Sequence, residues 1–139
     1  MSVTLSTKSL SKLRGVDARL VRVVKRAAEL ATSAEDFSVL EGLRTAARQR
    51  SLYAQGRTKP GRIVTWTLQS KHIEGKAVDL LPYPGGWSSP LSKFNAISRL
   101  MFRAAEELGV EIRWGADWDR DGRPRERGET DSPHFELAE

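Results

Sequence analysis

The chain has no cysteine and only two histidines among its 139 residues. Without thiols there is no disulfide framework and no thiolate metal site. The fold therefore does not depend on an oxidising compartment, and any metal must be held by His, Asp or Glu. No apolar run approaches the ~18–20 residues that cross a bilayer, so stable membrane insertion is not expected. The opening Met1-Ser2-Val3-Thr4-Leu5-Ser6-Thr7-Lys8 also lacks the apolar stretch of a secretory signal. Aromatics make up 7% of the residues and are not interleaved with the basic residues of the first half. A base-stacking platform needs that interleaving, so nucleic-acid binding is not expected. Internal repeats, low-complexity tracts and long linkers are missing too, which predicts one domain over residues 1–139, with no separate cell-wall-binding domain.

What is present is charge, unevenly placed. Residues 1–62 carry 13 Lys and Arg against 5 Asp and Glu, a balance of +8; residues 63–139 carry 10 against 13, a balance of −3. A basic half attracts anionic polymers or carboxylate-bearing substrates, though a solvated charged face has the same composition. Leu13, Val16, Leu20, Val23, Val24, Ala27 and Leu30 recur at helical spacing and predict a first helix over residues 13–31. A strand is expected at 37–43 and a short helix from Thr45 to Gln55, stopped at Gly56. Ala77-Val78-Asp79-Leu80-Leu81 is a short apolar run ending at Pro82, hence a buried strand. Phe94, Ile97, Met101, Ala104 and Leu108 stripe the next helix, which closes at Gly109. Strands at 110–114 and 134–137 flank a Gly-, Asp- and Arg-rich loop at 115–130. Helix, strand, helix, strand, helix, strand, strand is an α+β order rather than a doubly wound one.

Both histidines stand near carboxylates. His72 and Asp79 lie in Ser70-Lys71-His72-Ile73-Glu74-Gly75-Lys76-Ala77-Val78-Asp79, and His134 in Asp131-Ser132-Pro133-His134-Phe135-Glu136-Leu137. Two imidazoles and a carboxylate are a first-row metal ligand set, and Zn2+ is the usual occupant of a hydrolytic site with one position open to water. Asp79 interrupts an apolar run, and a buried carboxylate needs a cation or strong donors. Such a site lowers the pKa of a bound water to about 7, and a neighbouring carboxylate then takes the proton. Asp131, three residues before His134, is the candidate base. Arg44, in Glu41-Gly42-Leu43-Arg44-Thr45, is the candidate cation for a carbonyl oxygen. A core histidine, a turn-capping Asp131 and an ordinary strand-end Arg44 are the plainer readings, and spacing alone leaves them open. Asp117-Trp118-Asp119-Arg120-Asp121-Gly122 opens like a Ca2+ loop through Asp117, Asp119 and Asp121, but the closing Glu would fall at Gly128. The alternative there is a solvated acidic turn paired with nearby arginines.

Ser70-x-His72-x-x-Gly75-x-Ala77-x-Asp79, followed by Asp131-x-x-His134, resembles the zinc peptidases of the D-alanyl-D-alanine carboxypeptidase (VanY-like) family. It is more similar to the L-alanyl-D-glutamate peptidase branch, the phage endolysins. Gly42-Leu43-Arg44-Thr45, Gln49-x-x-Leu52-Tyr53-Ala54-Gln55-Gly56-Arg57-Thr58 and Trp114-Gly115-Ala116-Asp117-Trp118 extend the likeness over residues 10–137. The resemblance implies a Hedgehog/DD-peptidase-type fold, a small antiparallel sheet flanked by helices with the zinc site on the sheet. It implies His72, Asp79 and His134 as zinc ligands, Asp131 as general base and Arg44 as the carbonyl-polarising or carboxylate-holding arginine. Ser70 and Gln55 would be residues that line or support the site. The implied substrate is the peptidoglycan stem peptide, cut between L-alanine and D-glutamate by a monomer. The implied location is the host cytoplasm until the membrane is permeabilised, then the periplasm and cell wall. The stretch Trp66-Thr67-Leu68-Gln69 is shorter than in many of the carboxypeptidases, which bears on the groove and the bond cut. A D-alanyl-D-alanine or L,D-carboxypeptidase, and a non-catalytic zinc-stabilised wall-binding module, are the competing readings; Asp131 speaks against the second.

Overall fold

A computed structural model describes residues 5–63, 71–117, 120, 124–125 and 131–138. Among the described residues four α-helices and four strands follow in chain order: α1 (Thr7–Lys12), α2 (Ala18–Leu30), β1 (Phe37–Glu41), α3 (Ala46–Ala54), β2 (Ala77–Pro82), α4 (Leu91–Leu108), β3 (Ile112–Trp114) and β4 (His134–Leu137). The single helix expected over 13–31 is instead a turn followed by α2, with α1 placed before it. Leu13 and Val16 are buried as their spacing implied, but from the turn. The break follows from Asp17, whose carboxylate accepts the Arg19 backbone N–H at 2.9 Å. An aspartate turned onto an N–H two residues ahead is an N-cap, so the helix begins after it.

Asp17 also holds the Arg19 guanidinium, with Oδ2 3.0 Å from Nη2. Hydrogen bonds from the Arg19 side chain and backbone pull its carboxyl from the ordinary 3.8 to about 2. A depressed carboxylate stabilises the fold fully above its unfolded value and loses that contribution as the pH falls through its folded value. Asp17→Ala is therefore expected to cost about 1 kcal/mol, close to 4 °C in Tm, at pH 7. Thermal melts at pH 7 and pH 2 check this: the gap between the two proteins should close at the lower pH.

The sheet is antiparallel throughout, in the order β1-β2-β4-β3. Strand alternation sorts its side chains onto two faces. Phe37, Val39, Val78, Leu80, Ile112, Trp114, Phe135 and Leu137 join the apolar core with Leu20, Val23, Val24 and Ala27 of α2 and Ile97, Met101 and Ala104 of α4. Trp114 and Phe135, paired across β3 and β4, stack with ring centroids 6.2 Å apart. Arg26 of α2 reaches Glu107 of α4 at 2.7 Å on the outer side of the helix pair. Successive residues on β2 and β4 point the other way, and these are Asp79, His134 and Glu136. The expected strand 37–43 stops at Glu41, after a register shift between Val39 and Glu41 that sets Glu41 opposite Asp79. The expected strand at 110–114 is confined to Ile112–Trp114. The helix expected from Thr45 is α3, with Thr45 as its cap, and Gly109 follows Leu108 in the left-handed conformation expected of a stop.

Candidate active site

The central register does most of the assembly. Asp79 of β2 lies directly opposite His134 of β4, so their side chains share the polar face. His72 arrives from the turn before β2, which is fastened at three points. The His72 carbonyl accepts from the Arg44 and Gly75 backbone N–H groups at 2.9 and 3.2 Å, and Lys76 N donates to Lys71 O at 2.9 Å. Gly75 has φ +71°, and a Cβ there would collide with the Gly15 carbonyl, so the motif needs glycine on two counts.

One carboxylate oxygen sits between the two rings. Asp79 Oδ1 is 3.2 Å from His72 Nε2 and 3.2 Å from His134 Nδ1. The rings meet edge to face, with centroids 5.1 Å apart. One ligand atom from each of the three residues lies within 4.8 Å of the others, compatible with a single ion. The far side of each ring is fixed. His72 Nδ1 is 2.8 Å from the Gly42 carbonyl, which can only accept, so Nδ1 carries a proton and Nε2 is the nitrogen that faces Asp79. His134 Nε2 is 2.8 Å from Glu136 Oε1 and donates to that carboxylate, leaving Nδ1 toward Asp79.

Burial alone would raise the Asp79 carboxyl, but the two ring nitrogens outweigh it and keep it ionised far below the usual carboxylate range. Burial likewise opposes charge on His134, yet Asp79 and Glu136 push it up to about 10. Both shifts favour a proton between Asp79 and His134 Nδ1. A divalent cation takes the place of such a proton when it binds. Lone pairs on two oriented imidazoles and an ionised carboxylate suit Zn2+ as well as they suit any first-row cation.

Asp131 stands at the rim. Its Oδ2 is 4.0 Å from His134 Nδ1, and its side chain keeps 61% exposure. Its carboxyl is pushed up, first by the protein crowded behind it and then by the charge of Asp79, against the pull of His134, His72 and Arg44. The turn that carries it is pinned: the Asp131 carbonyl accepts from His134 N at 3.1 Å, and the Trp114 indole N–H donates to the Ser132 carbonyl at 2.6 Å. Gly115 makes room for this turn, since a Cβ there would meet the Asp131 carbonyl and the Cβ atoms of Asp131 and His134.

Arg44 is close by but heavily engaged. Its Nε and Nη2 clasp Glu41 at 2.9 and 2.7 Å, its Nη1 donates to Gln49 at 2.6 Å, and Nη2 lies 3.9 Å from Asp79 Oδ2. The clasp holds the Glu41 carboxyl below its usual range. Gln55 caps α3 and donates to the Arg62 carbonyl at 3.0 Å, so it closes its own loop rather than touching the cluster. Ser70 lies outside the described residues, as do Trp66–Gln69. Asp117 is buried beside Trp114, while Asp119 and Asp121 lie outside the described residues, so nothing described gathers carboxylates for Ca2+. Among the described residues, Arg120 pairs with Glu111 and Arg125 with Asn95.

Glu41, Gln49, Glu136 and the Gly42 carbonyl went unnoticed in the sequence. Glu136 was within reach, because residues i and i+2 of a strand share a face. Gln49, fully buried on α3, stood in the sequence only as part of a segment that extends the likeness, with no role attached.

A sequence model of the phage L-alanyl-D-glutamate peptidase family matches residues 1–138. The chain belongs to this family. It is 35% identical over 99% of its length to the L-alanyl-D-glutamate peptidase of Escherichia phage T5, all of which it covers. It is 31% identical over 73% of its length to the peptidoglycan L-alanyl-D-glutamate endopeptidase CwlK of Bacillus subtilis, covering 60% of that protein. The crystal structure of the Serratia marcescens L-Ala D-Glu endopeptidase ChiX superposes with a TM-score of 0.76 at 34% identity, over 97% of this chain and 90% of that one. The α+β sheet-and-helix architecture is therefore shared with ChiX.

Proposed function

We propose that this peptidase is a zinc-dependent endolysin that hydrolyses the amide between L-alanine and D-glutamate in the peptidoglycan stem peptide. The convergence of His72 Nε2, Asp79 Oδ1 and His134 Nδ1, with the opposite nitrogen of each ring already committed, is the observation that carries it. In this reading the fold is of the Hedgehog/DD-peptidase type and the metal site lies on the polar face of the sheet. When bound, Zn2+ supplies a Lewis acid and acidifies a water molecule.

The chain's own groups do the rest. Asp131, exposed at the rim and 4.0 Å from His134, takes the proton of the attacking water and delivers it to the departing D-glutamate nitrogen. Its raised pKa suits both halves of that exchange. Arg44 has five N–H donors, of which Glu41 and Gln49 use three. Nη2 also lies 3.9 Å from Asp79 Oδ2, and in this reading the donors left over hold a stem carboxylate or the carbonyl oxygen. The basic first half draws the enzyme onto an anionic wall. In the proposed setting the protein waits in the host cytoplasm and reaches the wall once the membrane is permeabilised.

Digestion of purified Gram-negative sacculi, with and without a chelator, tests this. Whole stem peptides beginning at D-glutamate should be released, and only in the absence of chelator. Release of free D-alanine without loss of stems would mean a carboxypeptidase instead.

A further inference from the structure

Glu136 is 3% exposed, on the same face of β4 as His134, yet it is not one of the three converging ligands. A carboxylate this deep is costly unless it is paired. One oxygen accepts from His134 Nε2 at 2.8 Å. The other faces Arg113 Nη1 at 3.9 Å, and Arg113 is the residue directly opposite Glu136 in the β3–β4 register. Arginine, glutamate and histidine therefore form a line across two strands, aimed at Asp79. His72 has a neutral carbonyl in the equivalent place, from Gly42.

We infer that Glu136, steadied by Arg113, is a positioning residue that makes His134 an Nδ1 ligand and the more electron-rich of the two imidazoles. The inference rests on the metal reading above and deepens it. An ionised acceptor behind a ring fixes the tautomer, stops the ring from flipping and increases the basicity of the nitrogen in front. The Gly42 carbonyl fixes the tautomer of His72 but adds no charge. Position 136 is therefore a place where metal affinity is set without contact to the metal.

Zinc affinity, measured by chelator competition on the full chain, and long-range 15N spectra of the His134 ring test it together. The metal-loaded wild type should show His134 ligated through Nδ1, with Nε2 protonated. Glu136→Gln keeps an acceptor, so Nδ1 ligation should persist with less than a ~10-fold loss of affinity, whereas Glu136→Leu should lose ~10–100-fold. Arg113→Met should fall between wild type and Glu136→Leu. A folded Glu136→Leu protein with wild-type affinity overturns the inference. If that variant does not fold, ligation of His134 through Nε2 in the wild type does so, as does a Glu136→Gln protein that loses Nδ1 ligation no less than its affinity. A wild type that takes up no zinc defeats the metal reading, and this one with it; wild-type uptake with an indifferent Glu136→Leu defeats this one alone.

Discussion

Asp131→Asn is expected to lower kcat by ~10²–10⁴-fold while leaving zinc content and Tm close to wild type. The asparagine keeps the size of the side chain and the backbone turn in which the residue 131 carbonyl accepts from His134 N. What it removes is the capacity to take a proton. The side chain is largely exposed, so a stability loss is not expected. KM should change little, because a group that acts on the water's proton contributes to the transition state rather than to holding the stem peptide. Steady-state kinetics on a stem-peptide substrate, with metal analysis of the same preparation, decide the matter. Retained kcat would remove Asp131 from the mechanism and leave the metal site untouched.

The second large effect belongs to Asp79. Its Oδ1 lies between both ring nitrogens, so Asp79→Ala removes the element that ties the two histidines together. Zinc at 100 times its Kd stabilises a site-bearing fold by about 2.7 kcal/mol, which for a chain of this size is close to 10 °C. The wild type should show that rise between chelated and zinc-loaded samples. Asp79→Ala should show almost none, and its peptidase activity should fall to background. Differential scanning calorimetry of the four samples gives the answer. A full zinc-induced rise in Asp79→Ala would place the ion elsewhere in the molecule.

How far the sequence could be read depended on the range over which each feature is determined. The apolar run of Ala77–Leu81 ending at Pro82 is local and was legible, which is why Asp79 stood out as a carboxylate in an apolar strand. The stripe of α4 was legible for the same reason in Phe94, Ile97, Met101 and Ala104, whereas Leu108, at the last turn, is exposed. The break between α1 and α2 was not, because apolar spacing continues through Leu13 and Val16 while the chain turns. Only the Asp17 carboxylate, competing for the Arg19 N–H, marks the boundary. The ligand trio was legible as a motif, but its closure depends on the Asp79–His134 register, across 55 residues. The clasp of Arg44 by Glu41 and Gln49 joins a strand end to a helix interior, and no periodicity announces it. Gly115 was read only as part of a Trp-Gly-x-Asp-Trp segment; the Asp131 turn that crowds it comes from 16 residues further along.

The order of the strands has a consequence for biosynthesis. Among the described strands β4 comes latest in chain order, yet its place is in the interior of the sheet, between β2 and β3. Until it slots in, two neighbouring strands present bare hydrogen-bonding edges to each other, and the histidine it carries is missing from the cluster. Translation must therefore pass His134 before the nascent polypeptide can acquire chemical competence, and a ribosome that stalls ahead of it releases an inert product.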